Sequence, residues 1–569
     1  MPPTVRLKLT PSRVITPFTS RSDPAFFAGN KTEVADDSVA QFFYAHAIAL
    51  RLVSTDEFKV MCKAIKEAPT NYEPPSVRKV SEGLLDRCVS KTMKSVMPIY
   101  EQAKLLGGTL ASDGYTDASK HYLCNVMFCT PIGNVFRKMF RAGPGLKTAD
   151  WLHEQLCIVI DEIGPELIYL IVLDGASVNV AAGKLLELTY PHVTCCVCCA
   201  HGIDLLLKDA CKHAWAAELL KKMRSIVKWV LARGQLNGIF NSLSPLKLLL
   251  PGATRFASHV IVIERYLAVR EYLKEAVLRP EWAAYIAKSP NTLDKNDPSK
   301  LSERAKGQLV QDYIEDKSLA TSLRKLHKFL TPCVIVLRLL DTNAPCMGSI
   351  YPAMYDLKCC LEKFPADPET HGFQLALGDL CSARWNYIHI DMMAAGYILN
   401  PRYRHLIDEM QENDEVWEGF LDVVAKLTPN PESANKALTE FSMIYKAGLG
   451  SFASEAATFG ATSDSTPAYA WWDMYGRSCT VLRRIAMIVL SRVPASSSCE
   501  RNWSNVDNIM GTKRTLLTKK RLDDLVYCYA NMRVAKQWSN LSSDDKYYVW
   551  CASHLEQPEV EDSESDDDE

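Results

Sequence analysis

Two textures of hydrophobic patterning alternate along the chain. Between residues 37 and 105, apolar positions recur at helical spacing in "VAQFFYAHAIALRLVSTDEFKVMCKAIKEA" and again in "VRKVSEGLLDRCVSKTMKSVMPIYEQAK", with "PTNYEPPS" breaking the run. Residues 1–36 are rich in Pro, Ser, Thr and charge and read as a flexible lead-in. Beyond residue 105 the runs shorten. "LGGTLASDGYT", "KHYLCNVMFCTP" and "GNVFRKMFRAG" are β-prone and separated by Gly, Pro and Asp turns, which predicts an antiparallel meander. "TADWLHEQLCIVIDEIG" predicts a helix with a Thr or Asp cap. "ELIYLIVLDGA" and "HVTCCVCCAHG" read as doubly buried strands, with "SVNVAAGKLLELTY" helical between them and "IDLLLKDACKHAWAAELLKKMRSIVKWVLARG" helical after them.

The resulting order, β-β-β-α-β-α-β-α, predicts a mixed sheet. The meander pairs antiparallel, and the later βαβ crossover runs parallel and right-handed. The RNase H-like fold uses this arrangement, with its first and fourth strands adjacent at the centre. Residues from about 216 to 465 read as almost wholly helical, with Pro-rich breaks such as "SPNTLDKNDPS" and "LTPNPES".

A 569-residue chain is too long for one ordinary domain, and its 47% apolar and 23% charged residues are those of a globular protein. No apolar run reaches membrane-spanning length, and "MPPTVRLKLTPSRV" lacks a signal-peptide core, so neither a membrane span nor secretion is expected. Nineteen cysteines without a signal peptide predict free thiols in a reducing compartment. The net charge of −2 conceals an asymmetry: the tail "EQPEVEDSESDDDE" is acidic throughout, so the remainder is about +7. Charge therefore leaves the partner open.

Candidate chemistry lies in the carboxylates. "LASDGYTD" puts Asp113 at or just past the first strand, and "IVLDGASVN" puts Asp174 at the C-terminal end of the fourth. Ligands of α/β sheets bind beyond such strand ends. If those two strands pair, the carboxylates converge, and converging carboxylates repel unless protonated or bridged by a cation. Oxygen-only ligands suit Mg²⁺ or Mn²⁺ and a two-metal phosphoryl-transfer site. Either Asp-Gly alone reads equally as a turn, and Asp117 as a cap or turn. In "PASSSCERNWS" Glu500 falls in the first turns of a helix, where it either completes a three-carboxylate site or is an acid favoured by the helix dipole.

"SDGYTD", "VLDGASVNVAAGKLL", "CCAHGIDLLL", "ATRFASH" and "PASSSCERNWSNVDNIMGTKRTLLTKKRLDDLVYCYANMR" occur in that order and together resemble hAT-superfamily transposases. The branch resembled carries an upstream domain of unknown function, matched here by "FFYAHAIALRLVSTDEFKVMCKAIKEAPTNYEPP". The resemblance implies an α/β fold: an RNase H-like mixed sheet core interrupted by a large all-helical insertion, with a helical N-terminal segment. It divides the chain into a flexible segment 1–36, a helical region 37–105, the first part of the core 106–215 and the helical insertion 216–464. Core-completing helices with an hAT-type dimerisation region, 465–545, and an acidic disordered tail, 546–569, follow. It implies that Asp113, Asp174 and Glu500 are the catalytic, metal-binding carboxylates for two Mg²⁺ or Mn²⁺ ions, Asp113 bridging both.

The family's Cys-x-x-His motif falls on Cys198 and His201, with packing, a DNA contact by His201 and a zinc site as alternatives. Arg255 with Phe256 matches an Arg-Trp pair that acts at a flipped base. Trp471 and Trp472 match the dimerisation block and read equally as core or interface. Lys513, Arg514, Lys519, Lys520 and Arg521 form a basic run, either a DNA-contacting patch or a solvated helix face. The sequence departs from the family in three ways: no BED-type zinc finger precedes residue 100, Gly175 replaces a common Asn, and Tyr115 and Trp503 replace a Trp and a Phe. Two functions stay open, a nuclear transposase that cuts and joins DNA as a homodimer or higher oligomer, and a catalytically retired, transposase-derived DNA-binding or dimerising regulator.

Overall fold

Five strands form one mixed sheet: β1 (Gly108–Thr116), β2 (Tyr122–Thr130), β3 (Gly133–Ala142), β4 (Ile168–Leu173) and β5 (Thr194–Val197). Their spatial order is β3-β2-β1-β4-β5, with β1 antiparallel to β2 and parallel to β4. The first and fourth strands are thus neighbours at the centre, as expected from the RNase H-like arrangement. The computed structural model describes residues 31–116, 121–143, 145, 147–252, 257–291, 301–365, 367–510 and 518–540. The chain divides into two units, residues 1–79 and 80–569.

In the first unit, helices Lys31–Ala45 and Asp56–Lys66 flank a 3₁₀ turn, Leu50–Ser54. The single long helix suggested by the periodicity is therefore interrupted. Thr55 caps the second helix by accepting the Phe58 N–H, and Phe43 is buried edge-on against Phe58. Residues 31–36, expected in the flexible lead-in, are helical.

In the second unit the alternation of each strand decides which layer it meets. Leu110, Phe128, Ile171 and Leu173 pack against helices α2 (Ala149–Ile163) and α3 (Ser177–Thr189). Ala111, Met127, Leu170 and Val172 face the opposite, larger core, which includes helix α4 (Cys199–Ala210). Thr148 is the cap of α2, accepting from the Trp151 N–H at 3.1 Å. The run "CCAHG", read as the end of the fifth strand, instead opens α4, because the Cys198 thiol caps that helix. Among the described residues from 216 to 464 there is no strand. The helix α5 (His371–Ile388) of that stretch returns below.

After helix α6 (Thr480–Leu490) the chain re-enters the sheet layer through a buried segment, Ser491–Ser498, and continues into α7 (Ser497–Met510). The Cys199 N–H donates to the Pro494 carbonyl at 3.0 Å, and the Ser496 N–H to the Cys198 sulfur at 3.3 Å. The Cys499 thiol donates to the Ala111 carbonyl, and Asn125 Nδ2 to the Cys499 carbonyl at 2.9 Å. These bonds fix α7 across β1 and β2.

Trp471 and Trp472 are buried within the chain, and their indole N–H groups donate to the carbonyls of Ala457 and Leu399. The expectation that these two indoles form dimer surface is corrected accordingly: both are core, because packing and internal acceptors already satisfy them. The apolar run of α6 is likewise interior.

Helix α1 (Gly83–Leu106) and the last described helix, α8 (Lys519–Asn540), flank the edge strand β3. Edge strands carry unpaired backbone groups. Here the buried Asn531 side chain takes the Phe136 N–H at 2.8 Å and donates to the Phe136 carbonyl at 2.9 Å. Asn531→Ala leaves both groups buried and unpaired, so it should destabilise this unit by about 2–4 kcal/mol. The check is the thermal unfolding midpoint against that of an exposed control such as Met532→Ala.

Candidate active site

The last registered pair between β1 and β4 is Ala111 with Val172. Two residues further along both strands stand Asp113 and Asp174, on the same face and at the same end of the sheet. Asp174 follows β4 immediately, and its Oδ1 accepts the Ala176 N–H at 2.7 Å, holding the Asp-Gly turn. Gly175 donates nothing to the site but makes room. A Cβ there would stand 1.8 Å from the hydroxyl of Tyr387 on α5, which donates to the Gly175 carbonyl at 3.0 Å. A side chain at this position would have to push the Tyr387 hydroxyl aside.

Asp113 accepts a hydrogen bond at 2.7 Å from Trp503 Nε1, on α7. The Trp503 ring meets Tyr115 edge-on, with centroids 4.8 Å apart. The two aromatic departures from the family pattern are therefore one contact. A Phe at 503 could pack on Tyr115 but could not bond Asp113.

Glu500 lies in the first turn of α7. A helix N-terminus by itself favours the ionised acid. The opposite holds here: burial, then the charges of Asp113, Asp341 and Asp204, push its pKa up to about 8. Arg501 opposes them only partly, being turned toward Asp341 at 3.3 Å and toward Asn343. Burial also raises the pKa of Asp113; the Trp503 bond opposes this, and the Asp174 charge adds to it. Asp113 thus feels Asp174, and Glu500 feels Asp113. Among the described residues none of the three forms an ion pair with Lys or Arg.

Oxygen donors that repel one another without a counter-cation suit a hard divalent ion in kind. Among the described residues, however, no three His, Cys, Asp or Glu side chains are grouped closely enough to hold a metal. The three carboxylates share an electrostatic neighbourhood but not a ligand shell.

Cys198 is an N-cap: its sulfur accepts the His201 and Ser496 N–H groups. Burial raises its pKa, which disfavours the thiolate that zinc requires. Of the alternatives for this motif, packing is the one the structure provides for the cysteine. His201 lies close enough that its charge lowers the pKa of Asp113. The basic run is divided. Arg521, expected to contact DNA, is paired with Asp86 of α1 and with Asp524 at 3.2 Å. Lys520 is exposed, and Lys519 opens α8 with a side chain outside the described set. Arg255, Phe256, Lys513, Arg514, Asp117 and the acidic tail lie outside the described residues. Trp503 and Tyr387 were missed as site residues. For Trp503 the signal was its aromatic exchange, whereas nothing local marks Tyr387.

Two family descriptions match the chain. "Domain of unknown function (DUF659)" matches residues 75–226, and "hAT family C-terminal dimerisation region" matches residues 451–532. The first begins where the upstream stretch expected to carry such a domain ends, and it spans all five strands. The expectation that the domain precedes the sheet is thereby corrected. No curated protein matches the chain. Together the two matches support an hAT-family transposase-like protein, and the second points to homo-oligomerisation. No helix among the described residues is long and apolar enough to cross a membrane.

A carboxyl whose folded-state pKa lies above its unfolded value binds its proton more tightly when folded. Stability is therefore lost as pH rises from the ordinary 4.5 through about 8. In EDTA, the thermal midpoint of the wild type should fall relative to that of Glu500→Gln between about pH 5 and about pH 8.5. A constant difference over that range would overturn the assignment of a raised pKa.

Proposed function

We propose that this hAT transposase-like chain is a metal-dependent DNA-cleaving and strand-transfer protein with an RNase H-like core, acting in the nucleus as a homodimer or higher homo-oligomer. The observation that carries the reading is that three acids, Asp113, Asp174 and Glu500, share one electrostatic neighbourhood, Asp113 feeling Asp174 and Glu500 feeling Asp113. They come from a central strand, the end of its parallel neighbour and a helix that returns after the long helical stretch, and their charges oppose one another without a cation. The strand order β3-β2-β1-β4-β5 also supports the RNase H-like assignment.

Two Mg²⁺ or Mn²⁺ ions would be held by Asp113, Asp174 and Glu500 and would supply the charge that activates the attacking oxygen and stabilises the leaving one. The chain's own residues set the stage for that. Trp503 orients Asp113, and the Ala176 N–H orients Asp174. Tyr387 donates to the carbonyl of Gly175 in the turn after β4. Glu500, proton-bearing near neutral pH in the ion-free chain, would have to give up that proton to serve as a cation ligand.

A second reading has its own observation: no three potential ligands are grouped as a metal site among the described residues, and Trp503 already occupies one oxygen of Asp113. On that reading the chain is a retired, transposase-derived DNA-binding or dimerising regulator.

Supercoiled plasmid with Mn²⁺ separates the two. The wild type should nick it, while Asp174→Asn and Glu500→Gln should be slower by about a hundredfold or more, since even supporting residues of metal sites are worth about 10–100-fold. Equal nicking by all three proteins would sink the three-carboxylate assignment. No nicking by a dimer that still binds the plasmid would favour the regulator.

A further inference from the structure

Around the same helix that carries Glu500 lies a cleft of about 440 Å³. Its walls are one face each of α7 and α8, in both cases positions i, i+3, i+4 and i+7, starting from Ser498 and from Ala530. Residues 130–134, the turn between β2 and β3, form its third side. We infer that this cleft binds the phosphodiester backbone of a DNA strand that leads to the carboxylates, an inference that rests on the proposed action on DNA.

The lining chemistry points to an anion. Among the described residues it contains two guanidiniums, Arg501 and Arg533, and the amides of Asn134, Asn343, Asn502, Asn505 and Gln537, but no carboxylate. Guanidinium and amide N–H groups are the donors that meet phosphate oxygens, whereas a cleft for a cation or a basic peptide would be lined with acids. It also lacks an aromatic side chain, so it offers no platform on which a base could stack, and backbone contact without sequence preference is what remains.

Arg533 is pre-set for this task. Its guanidinium lies 4.1 Å from the centre of the Tyr529 ring, and Nη1 donates to Asn505 Oδ1 at 3.0 Å. A stacked, anchored fork loses little freedom on binding phosphate. The anchor continues inward: Asn505 donates to Asn502 at 3.0 Å, and Asn502 to Asn125 at 3.3 Å. Asn125 is the residue registered opposite Asp113 on β2. One chain of amides therefore joins the cleft to the strand position beside the carboxylates. Arg501, adjacent to Glu500, is the second donor, and a phosphate there would compete with Asp341 for it.

The test is fluorescence anisotropy of the full chain with labelled single-stranded and duplex oligonucleotides of two unrelated sequences, in EDTA. Arg533→Glu should weaken binding about tenfold for both sequences, and the slope of log affinity against log salt should shrink by about one. Arg533→Gln, which removes charge without reversing it, should show a smaller loss with the same reduced slope. Arg279→Glu, the same charge reversal on an exposed helix end in the helical stretch, should stay within about twofold of the wild type. Equal affinities for the Arg533 and Arg279 variants, or no binding by the wild type, would overturn the inference. Because metal is chelated, this result does not depend on nicking. A chain that nicks plasmid but ignores Arg533 keeps the catalytic reading and loses the cleft, and the reverse pattern does the opposite.

Discussion

The return of the chain to the sheet depends on one buried cation. Arg492 is fully buried, and its Nη2 donates to the carbonyls of Leu106 and Gly107 while Nε donates to that of Ile488 at 2.9 Å. Burying a guanidinium is costly unless its hydrogen bonds are met, and among the described residues no carboxylate pairs with it. Nη2 is met at the C-terminal end of α1, where carbonyls and the helix dipole concentrate negative charge, while Nη1 has no hydrogen-bond partner among the described residues. Burial pulls the pKa down to about 9, so the arginine remains charged near neutral pH. Since β1 starts at Gly108, the same contact fixes the beginning of the central strand and the segment that delivers α7.

Everything at the candidate site follows from seating α7 this way. Once Cys499 and Asn502 are bonded to β1 and β2, Glu500 and Trp503 are carried to the strand end where Asp113 and Asp174 already stand. Acids in one electrostatic neighbourhood raise the cost of ionising one another, as Asp174 does for Asp113 and Asp113 for Glu500. The fold tolerates this because the surrounding contacts, from Arg492 to the amide chain through Asn125, determine the position of α7 independently of the acids.

The sheet was legible because its signals are local. Alternation, Gly and Pro punctuation and two continuous apolar runs delimit the strands, and the RNase H-like arrangement expected from their order makes the first and fourth strands neighbours. That arrangement also brings Asp113 and Asp174 together. Glu500 could be assigned only through the resemblance, since a lone acid at a helix start has the same local pattern whether or not it reaches a site. Trp471 and Trp472 carry an aromatic type that suits core and interface equally, and which of the two they join depends on partners far along the chain, Ala457 and Leu399. Cys198 has the spacing of a ligand but, at the start of α4, the geometry of a cap.

The long helical stretch between Asp174 and Glu500 is more than a spacer. It reaches the site from two directions: Tyr387 bonds the carbonyl of Gly175, directly after Asp174, and Asp341 with Asn343 holds Arg501, directly after Glu500. The second contact changes the site's electrostatics, because the Asp341 charge raises the pKa of Glu500 and pairs with the arginine that lowers it. Glu500 is therefore tuned by a residue that belongs to the helical stretch and not to the sheet. Any movement of the 341–343 loop that releases Arg501 shifts the balance of charge beside Glu500 and frees a donor at the mouth of the amide-lined cleft. Carboxylates and cleft are in this sense coupled through a single side chain, which follows Glu500 in the chain and is held by Asp341 and Asn343 of the helical stretch.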